Sequence, residues 1–300
     1  MTTQPGDRIA LGLLATAGAM LMFVLMNAFA KHLSAQHSVI EIAFYRNVVA
    51  ALPFLIMAFV FGRRDILIAQ ARPGLMITRA VMGSVSLSAT FAAFSLMPMA
   101  DASALLFTAS LFIPLLGVVV LKEPLGWVRS SAIVVGFVGV LIMIRPTGAT
   151  NVLGISVALV AAFLQAIMAI ILRQLGGYEK PETVALYFFL IGAALTGLAM
   201  PFFGRLPAVD ELPLLLGVGI SGAIAQWLYA IGLKYTQAAV VAVMSYSSIV
   251  WALLLGWLVW GDWPLPVVLA GAAVVIAANT LIIWRETHLA RKARSPVPPA

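Results

Sequence analysis

The chain has 300 residues, of which 63% are hydrophobic and only 10% charged. Soluble globular domains carry about 45–50% apolar and about 25% charged residues, so this composition excludes a water-soluble enzyme. The net charge is +7, but Lys and Arg fall in loops beside apolar blocks, where they set membrane orientation and do not point to nucleic acid.

A spanning helix needs about 20 apolar residues. Blocks of that length predict ten spans: 9–30, 41–61, 74–96, 102–121, 126–144, 153–172, 183–203, 212–233, 238–260 and 264–284. Too little chain is left for a separate soluble domain. The first span ends on Ala28-Phe29-Ala30, a small-residue pattern like a signal-peptide cleavage site. Its apolar stretch is longer than the usual h-region, and its n-region offers only Arg8 against Asp7, so it is read as a retained span. Along it Thr16, Met20, Phe23 and Asn27 share a face.

Arg46 and Arg79 lie inside the second and third spans, each about one and a half turns deep, where a charge is costly unless it meets a partner or water. Two readings stand: snorkelling to the headgroups, or anchors for an anionic, carboxylate-bearing solute. Arg79, Gly83, Ser86 and Thr90 share one face of the third span, and Ser103, Phe107, Ser110 and Pro114 one face of the fourth. Such small-residue stripes serve helix packing more often than pores. Pro114 predicts a hinge, and an asymmetric one, because its counterpart Leu253 is not proline.

In the later spans, Gln165 is a lone mid-span amide. Gly222, Gln226 and Tyr229 share a face of the eighth span, and Met244, Ser247 and Trp251 one of the ninth. The amides of Asn27, Gln165 and Gln226 need partners in hydrocarbon, so they are expected at a central cavity, with Phe107, Tyr229 and Trp251 as apolar walls. Trp227 and Trp251 sit near mid-span, where cavity wall and lipid or core packing are both open. Trp127, Trp260, Trp263 and Trp284 mark span ends, as aromatic belts do. The tail after Trp284 is basic, then Pro-rich, and is expected to be disordered.

Several apparent motifs fail. Gly217 to Gly222 reads G-x-G-x-x-G but lies inside an apolar span, without the strand-to-helix context of a dinucleotide site. Gly219-Ile220-Ser221-Gly222 resembles an intramembrane protease nucleophile, but His32, His37 and His288 all lie outside the spans, so no base is at hand. There is no P-loop, no metal-spaced His/Asp/Glu cluster and no Cys. No cofactor is expected. No carboxylate falls in mid-span, which argues against an internal proton relay. Facilitated or exchange transport is favoured, or coupling through a terminal carboxylate such as Glu41, Asp101, Glu123 or Asp262.

With the N-terminus in the cytoplasm, only Lys31, Arg46, Arg145 and Arg205 of the 18 basic residues fall outside. That bias places both termini inside. A repeat also shows in the punctuation. Lys31, Tyr45 and Phe61-Gly62-Arg63 recur 142 residues later as Arg173, Tyr187 and Phe203-Gly204-Arg205; Gly117 and Glu123 recur 139 residues later as Gly256 and Asp262. The fold expected is therefore all-α and polytopic, ten transmembrane helices as two inverted five-helix repeats. The halves run 9–144 and 153–284, with a linker at 145–152 and cytoplasmic tails at 1–8 and 285–300. Inverted repeats place a substrate site at their interface near the bilayer midplane.

The chain resembles the EamA-type branch of the drug/metabolite transporter superfamily. The resemblance rests on Phe44-Tyr45-Arg46, on Ala102 to Leu121 followed by Lys122-Glu123-Pro124-Leu125, on Gly261-Asp262 in the second half, and on Gly136 and Gly139 in the fifth span. It implies an inner-membrane secondary transporter of small metabolites, most often an exporter, with aromatic amino acids a favoured substrate group. Multidrug, nucleoside or vitamin transport is the alternative, and a passive channel or an intramembrane enzyme is a more distant one. The partners implied are a small-molecule substrate and the lipid bilayer; monomer and homodimer stay open. The family's proline near Ile249 to Trp251 of the ninth span is missing here.

Overall fold

The computed structural model describes residues 5–69, 72–122, 127–144, 151–175, 180–205, 207–235, 241 and 244–294. Among them all regular structure is helical, as lipid demands of a chain that must pair its backbone groups within each segment. Among the described residues seven helical stretches, with Met99–Val120 taken as one, are long and apolar enough to cross a membrane. Three shorter apolar ones, Ser130–Met143, Ser247–Trp260 and Pro266–Leu281, stand where the fifth, ninth and tenth spans are expected. Glu123 to Gly126, most of the 145–152 linker and the start of the ninth span lie outside the described residues.

In chain order the helices are α1 (Pro5–Leu33), α2 (Val39–Phe59), α3 (Pro73–Leu96), α4 (Met99–Leu106), α5 (Ala109–Leu121), α6 (Trp127–Ile144), α7 (Val152–Leu175), α8 (Pro181–Phe203), α9 (Leu212–Tyr235), α10 (Ser247–Trp260) and α11 (Pro266–Arg294), with a 3₁₀ turn at Arg64–Leu67. Ser38 caps α2 by accepting the Glu41 amide at 3.2 Å, the first half of a capping box. Proline opens α3, α8 and α11, where its missing N–H costs nothing.

The fourth span is interrupted at Phe107-Thr108, between α4 and α5, and not at Pro114, which lies inside α5. Its counterpart in the second half breaks at Tyr246, 139 residues after Phe107. The breaks therefore match, in place of the one-sided hinge that Pro114 predicts. The two helices also end alike. Lys122 (φ 55°) closes α5 with its N–H on the Gly117 carbonyl. Gly261 (φ 70°) closes α10 with its N–H on those of Gly256 and Trp257. Each is a left-handed C-cap. The expectation of disorder from residue 285 also needs correction. Helix α11 runs on to Arg294, because Arg-Glu-Thr-His-Leu-Ala-Arg-Lys-Ala-Arg contains no proline or glycine and several strong helix formers.

Packing follows a paired scheme. α1 lies on α9 and α3 on α7; α2 lies on α9 and α3 on α8; α1 lies on α10 and α4 on α7. α2 with α8, α6 with α11 and α4 with α10 complete it. The main core cluster joins Val24 and Ala28 of α1, Phe94 of α3, Leu105 of α4, Leu111 of α5 and Ile249 and Ala252 of α10. Close approach depends on missing side chains. A Cβ on Gly139 would stand 2.8 Å from the Gly271 carbonyl, one on Gly271 2.6 Å from that of Gly139, and one on Gly136 2.5 Å from Leu111. Many large apolar residues point outward, among them Phe202 at 82%, Leu198 at 76% and Trp227 at 62% exposure. A surface of that kind fits hydrocarbon and not water, and it assigns Trp227 to the lipid face.

Candidate functional site

The eight residues expected at one cavity fall into separate neighbourhoods. Arg46 and Arg79 are both buried, at 1% and 9% exposure, so neither snorkels. Arg46 Nη1 donates to Asn47 Oδ1 at 2.9 Å, and its guanidinium lies over Phe188 and Phe189 of α8, 5.3 and 4.9 Å from the ring centroids. Arg79 Nη1 donates to the Val184 carbonyl of α8 at 3.1 Å, with its Cζ 5.3 Å from the Phe188 ring. Cation–π contact lowers the cost of burying each cation. Neither guanidinium has a carboxylate partner among the described residues, and Nε of both, with Nδ2 of Asn47, is buried without a hydrogen bond. A Cβ on Gly192 of α8 would come 2.6 Å from Asn47 Nδ2 and 2.8 Å from Ser84 Oγ. The Asn47 amide and the Ser84 hydroxyl, which donates to the Ala80 carbonyl at 2.8 Å, fill the space that the missing side chain leaves where α2, α3 and α8 meet. Donors and positive charge without a matching acceptor suit an anionic oxygen ligand.

A second neighbourhood surrounds the breaks. The rings of Phe107 and Tyr246 meet with centroids 5.1 Å apart at 47°. Trp251 packs against the same core cluster, and its Nε1, with Thr108 Oγ1, Ser247 Oγ and Asn27 Oδ1, is buried and unbonded. α10, which carries Ser247 and Trp251, packs on α1, which carries Asn27, and on α4, which ends just before Phe107 and Thr108.

The remaining candidates make contacts between helices. Gln165 Nε2 donates to Thr90 Oγ1 at 3.3 Å and ties α7 to α3. Ser86 on the same α3 face donates to the Ala161 carbonyl of α7 at 3.2 Å. Tyr229 stands edge-on to Phe23 at 6.3 Å, so the eighth-span face that also bears Gln226 looks at α1. A groove between α6 and α11, lined by Ser131, Ala132, Val135, Ala277, Ala278 and Leu281, contains none of the candidates. Asn47, Ser84, Phe188 and Tyr246 are missing from the sequence-based set. Tyr246 stands at the 139-residue offset from Phe107 and could have been found by it.

A bundle of outward-facing apolar helices with two internal polar neighbourhoods defines a multi-pass membrane protein. The EamA-like transporter family matches the chain twice, over residues 10–145 and 152–284, and the chain belongs to that family. It is 28% identical over 282 residues to a pseudopaline exporter of Pseudomonas aeruginosa, covering 91% of this chain and 95% of that one. It is 26% identical over 284 residues to a riboflavin transporter of Vibrio cholerae, covering 93% and 94%. Over 260 residues it is 24% identical to an S-adenosylmethionine uptake transporter of Rickettsia bellii, covering 87% and 89%. A crystal structure at 20% identity superposes with a TM-score of 0.65 over 95% of this chain and 99% of that one, a likeness of fold alone. The chain is a transporter and not an enzyme.

Proposed function

We propose that the protein is a secondary transporter of a small carboxylate-bearing metabolite, amino acids favoured, working by alternating access between two inverted five-helix halves. The observation that carries the substrate class is the pair of buried arginines that share the Phe188 ring and have no carboxylate partner among the described residues, with Asn47 beside Arg46. The helix pairing supports the two-half reading. Moving each element five spans along turns the α1–α9 contact into α7–α3, α2–α9 into α8–α3, and α1–α10 into α7–α4. The breaks at Phe107 and Tyr246 follow the same shift, and interrupted helices mark transporter binding sites. In this reading Arg46 and Arg79 anchor the carboxylate. Phe107, Tyr229 and Trp251 form walls for an aromatic or aliphatic side chain, Asn27, Gln165 and Gln226 serve its polar groups, and Pro114 softens the helix beyond the break. The Lys/Arg bias supports a plasma-membrane setting with both termini in the cytoplasm. Export is the direction favoured.

Counterflow in proteoliposomes against amino acids, their amides, nucleosides and cationic drugs tests this. Exchange of amino acids and not of their carboxamides is expected. Equal exchange of both, or full activity of Arg46→Ala and Arg79→Ala, overturns the carboxylate assignment. Unchanged exchange in the Asn27, Gln165, Gln226 and Trp251 alanine variants removes those four from the site. A second reading, transport of a vitamin- or nucleoside-like solute, is favoured by what the riboflavin and S-adenosylmethionine relatives carry.

A further inference from the structure

Among the polar links that join the sequence halves, two are counterparts at opposite ends of the bundle. At one end, the 3₁₀ turn after α2 meets the start of α8: Lys180 Nζ bonds Asp65 Oδ2 at 2.8 Å, and Arg63 bonds the same carboxylate at 3.3 Å. At the other end, the α1–α2 connection meets the α8–α9 connection. His37 Nδ1 lies 2.8 Å from Glu41 Oε1, and its Nε2 lies 3.3 Å from Glu211 Oε1. Arg205 bonds Glu211 and places Nη2 3.4 Å from His37 Nε2. Under the five-span shift the α1–α2 connection corresponds to α7–α8, and α2–α3 to α8–α9. Each link is thus the other's counterpart, with Arg63 and Arg205 at the 142-residue offset.

Only the second link contains a titratable switch. The His37 ring is buried and faces Glu41 of α2, Glu211 and Arg205; Tyr45, one turn along α2, is the further titratable neighbour of Glu41. A neutral imidazole carries one N–H. With that hydrogen on Nδ1 it donates to Glu41, and Nε2 then accepts from Arg205 and gives nothing to Glu211. An imidazolium donates from both nitrogens, one to each carboxylate. Both forms touch the two connections, but the imidazolium exchanges its contact with the Arg205 cation for one with the Glu211 carboxylate and balances two negative groups with two positive ones.

We propose that His37 is a proton-binding site that locks this end of the transporter: proton binding closes the α1–α2/α8–α9 face, and proton loss loosens it. The opposite link, an amine and a guanidinium on one carboxylate, contains no imidazole. In the orientation favoured above the His37 end faces outward, so external acid holds the outer gate shut. The proposal rests on the two-half architecture and not on the substrate.

The chain has no Cys, so spin labels at Gln36→Cys and Val209→Cys, both exposed, report this gap specifically. In full-length reconstituted protein without substrate, the short-distance population is expected to fall at least about twofold from about pH 5 to about pH 8, the range in which histidine changes charge. His37→Gln is expected to be flat with pH. Glu211→Gln, which keeps the His37–Glu41 contact, is expected to shrink the shift if His37→Gln does not fold. A wild type without pH dependence, a shift of opposite sign, or an undiminished shift in either variant overturns the proposal. A failed substrate assignment would show in counterflow while this distance change persists.

Discussion

The guanidinium groups of Arg46 on α2 and Arg79 on α3 share one ring: each Cζ lies 5.3 Å from the centroid of Phe188 on α8. The ring couples two cations that make no direct contact through any carboxylate. Phe188→Leu keeps the apolar volume and removes the π face, so it is expected to weaken both arginine placements by about 0.5–2 kcal/mol each. In a double-mutant cycle on thermal stability, Phe188→Leu and Arg46→Met are expected to be non-additive. Simple additivity would show that the ring does not hold Arg46.

Lys122 takes a left-handed conformation (φ 55°) at the end of α5, where the second half has Gly261 (φ 70°). A lysine Cβ is strained there and glycine is not, so Lys122→Gly is expected to raise stability by about 1 kcal/mol. Gly261→Ala is expected to lower it by a similar amount. Paired unfolding measurements in detergent check both.

The α6–α11 contact is set by glycine. A Cβ on Gly271 would stand 2.5 Å from Met143 Cγ and 3.0 Å from the Met143 backbone nitrogen. Gly271→Val is expected to destabilise by about 1–3 kcal/mol through overpacking. Gly74→Ala, with nothing within 4 Å of the added methyl, is expected to raise the melting temperature slightly, because alanine has less freedom to lose on folding.

Hydrogen bonds from Lys180 and then Arg63 hold the Asp65 carboxyl at about 2, below its ordinary 3.8. A folded-state value below the unfolded one contributes stability above the unfolded value and loses it as pH falls through the folded one. The Asp65–Lys180 link is therefore expected to be constant from neutral pH down to about 4 and to fade towards 2. Melting curves of wild type and Asp65→Asn are expected to differ by the same small amount across neutral pH and to converge only in strong acid.

Lys31 Nζ donates to the Met97 carbonyl at 3.0 Å, lies 3.4 Å from Asp262 and stands 5.1 Å from the Trp260 ring centroid. Asp262→Asn removes one of three partners, and Lys31→Ala removes all three contacts at once. Lys31→Ala is expected to lower the melting temperature more than Asp262→Asn does.

Much of the architecture was legible because lipid leaves few options. Span length and apolar content located the helices, and the 139-residue offset between Gly117 and Gly256 anticipated matched helix ends. The break at Phe107 was not legible, because proline is the loud local signal and a two-residue loss of helix at Phe107-Thr108 has no compositional mark. The site was half legible. Charge inside an apolar block singled out Arg46 and Arg79, but Phe188 and Ser84 are ordinary residues in a spanning helix, and only tertiary packing brings them beside the arginines. His37 was set aside as a loop residue. Its burial depends on Arg205 and Glu211 arriving together from the α8–α9 connection, about 170 residues away in sequence, which periodicity cannot reveal.

The notch that Gly139 and Gly271 cut into α6 and α11 also limits how the molecule moves. Each backbone carbonyl sits where the opposite glycine lacks a Cβ, so the two helices interlock at one height only. Sliding α11 by one turn in either direction would bring Val267 or Val275 against Gly139, with no space to receive a branched side chain. Translation along this seam is blocked, so wherever the two helices stay in contact α6 and α11 keep one register.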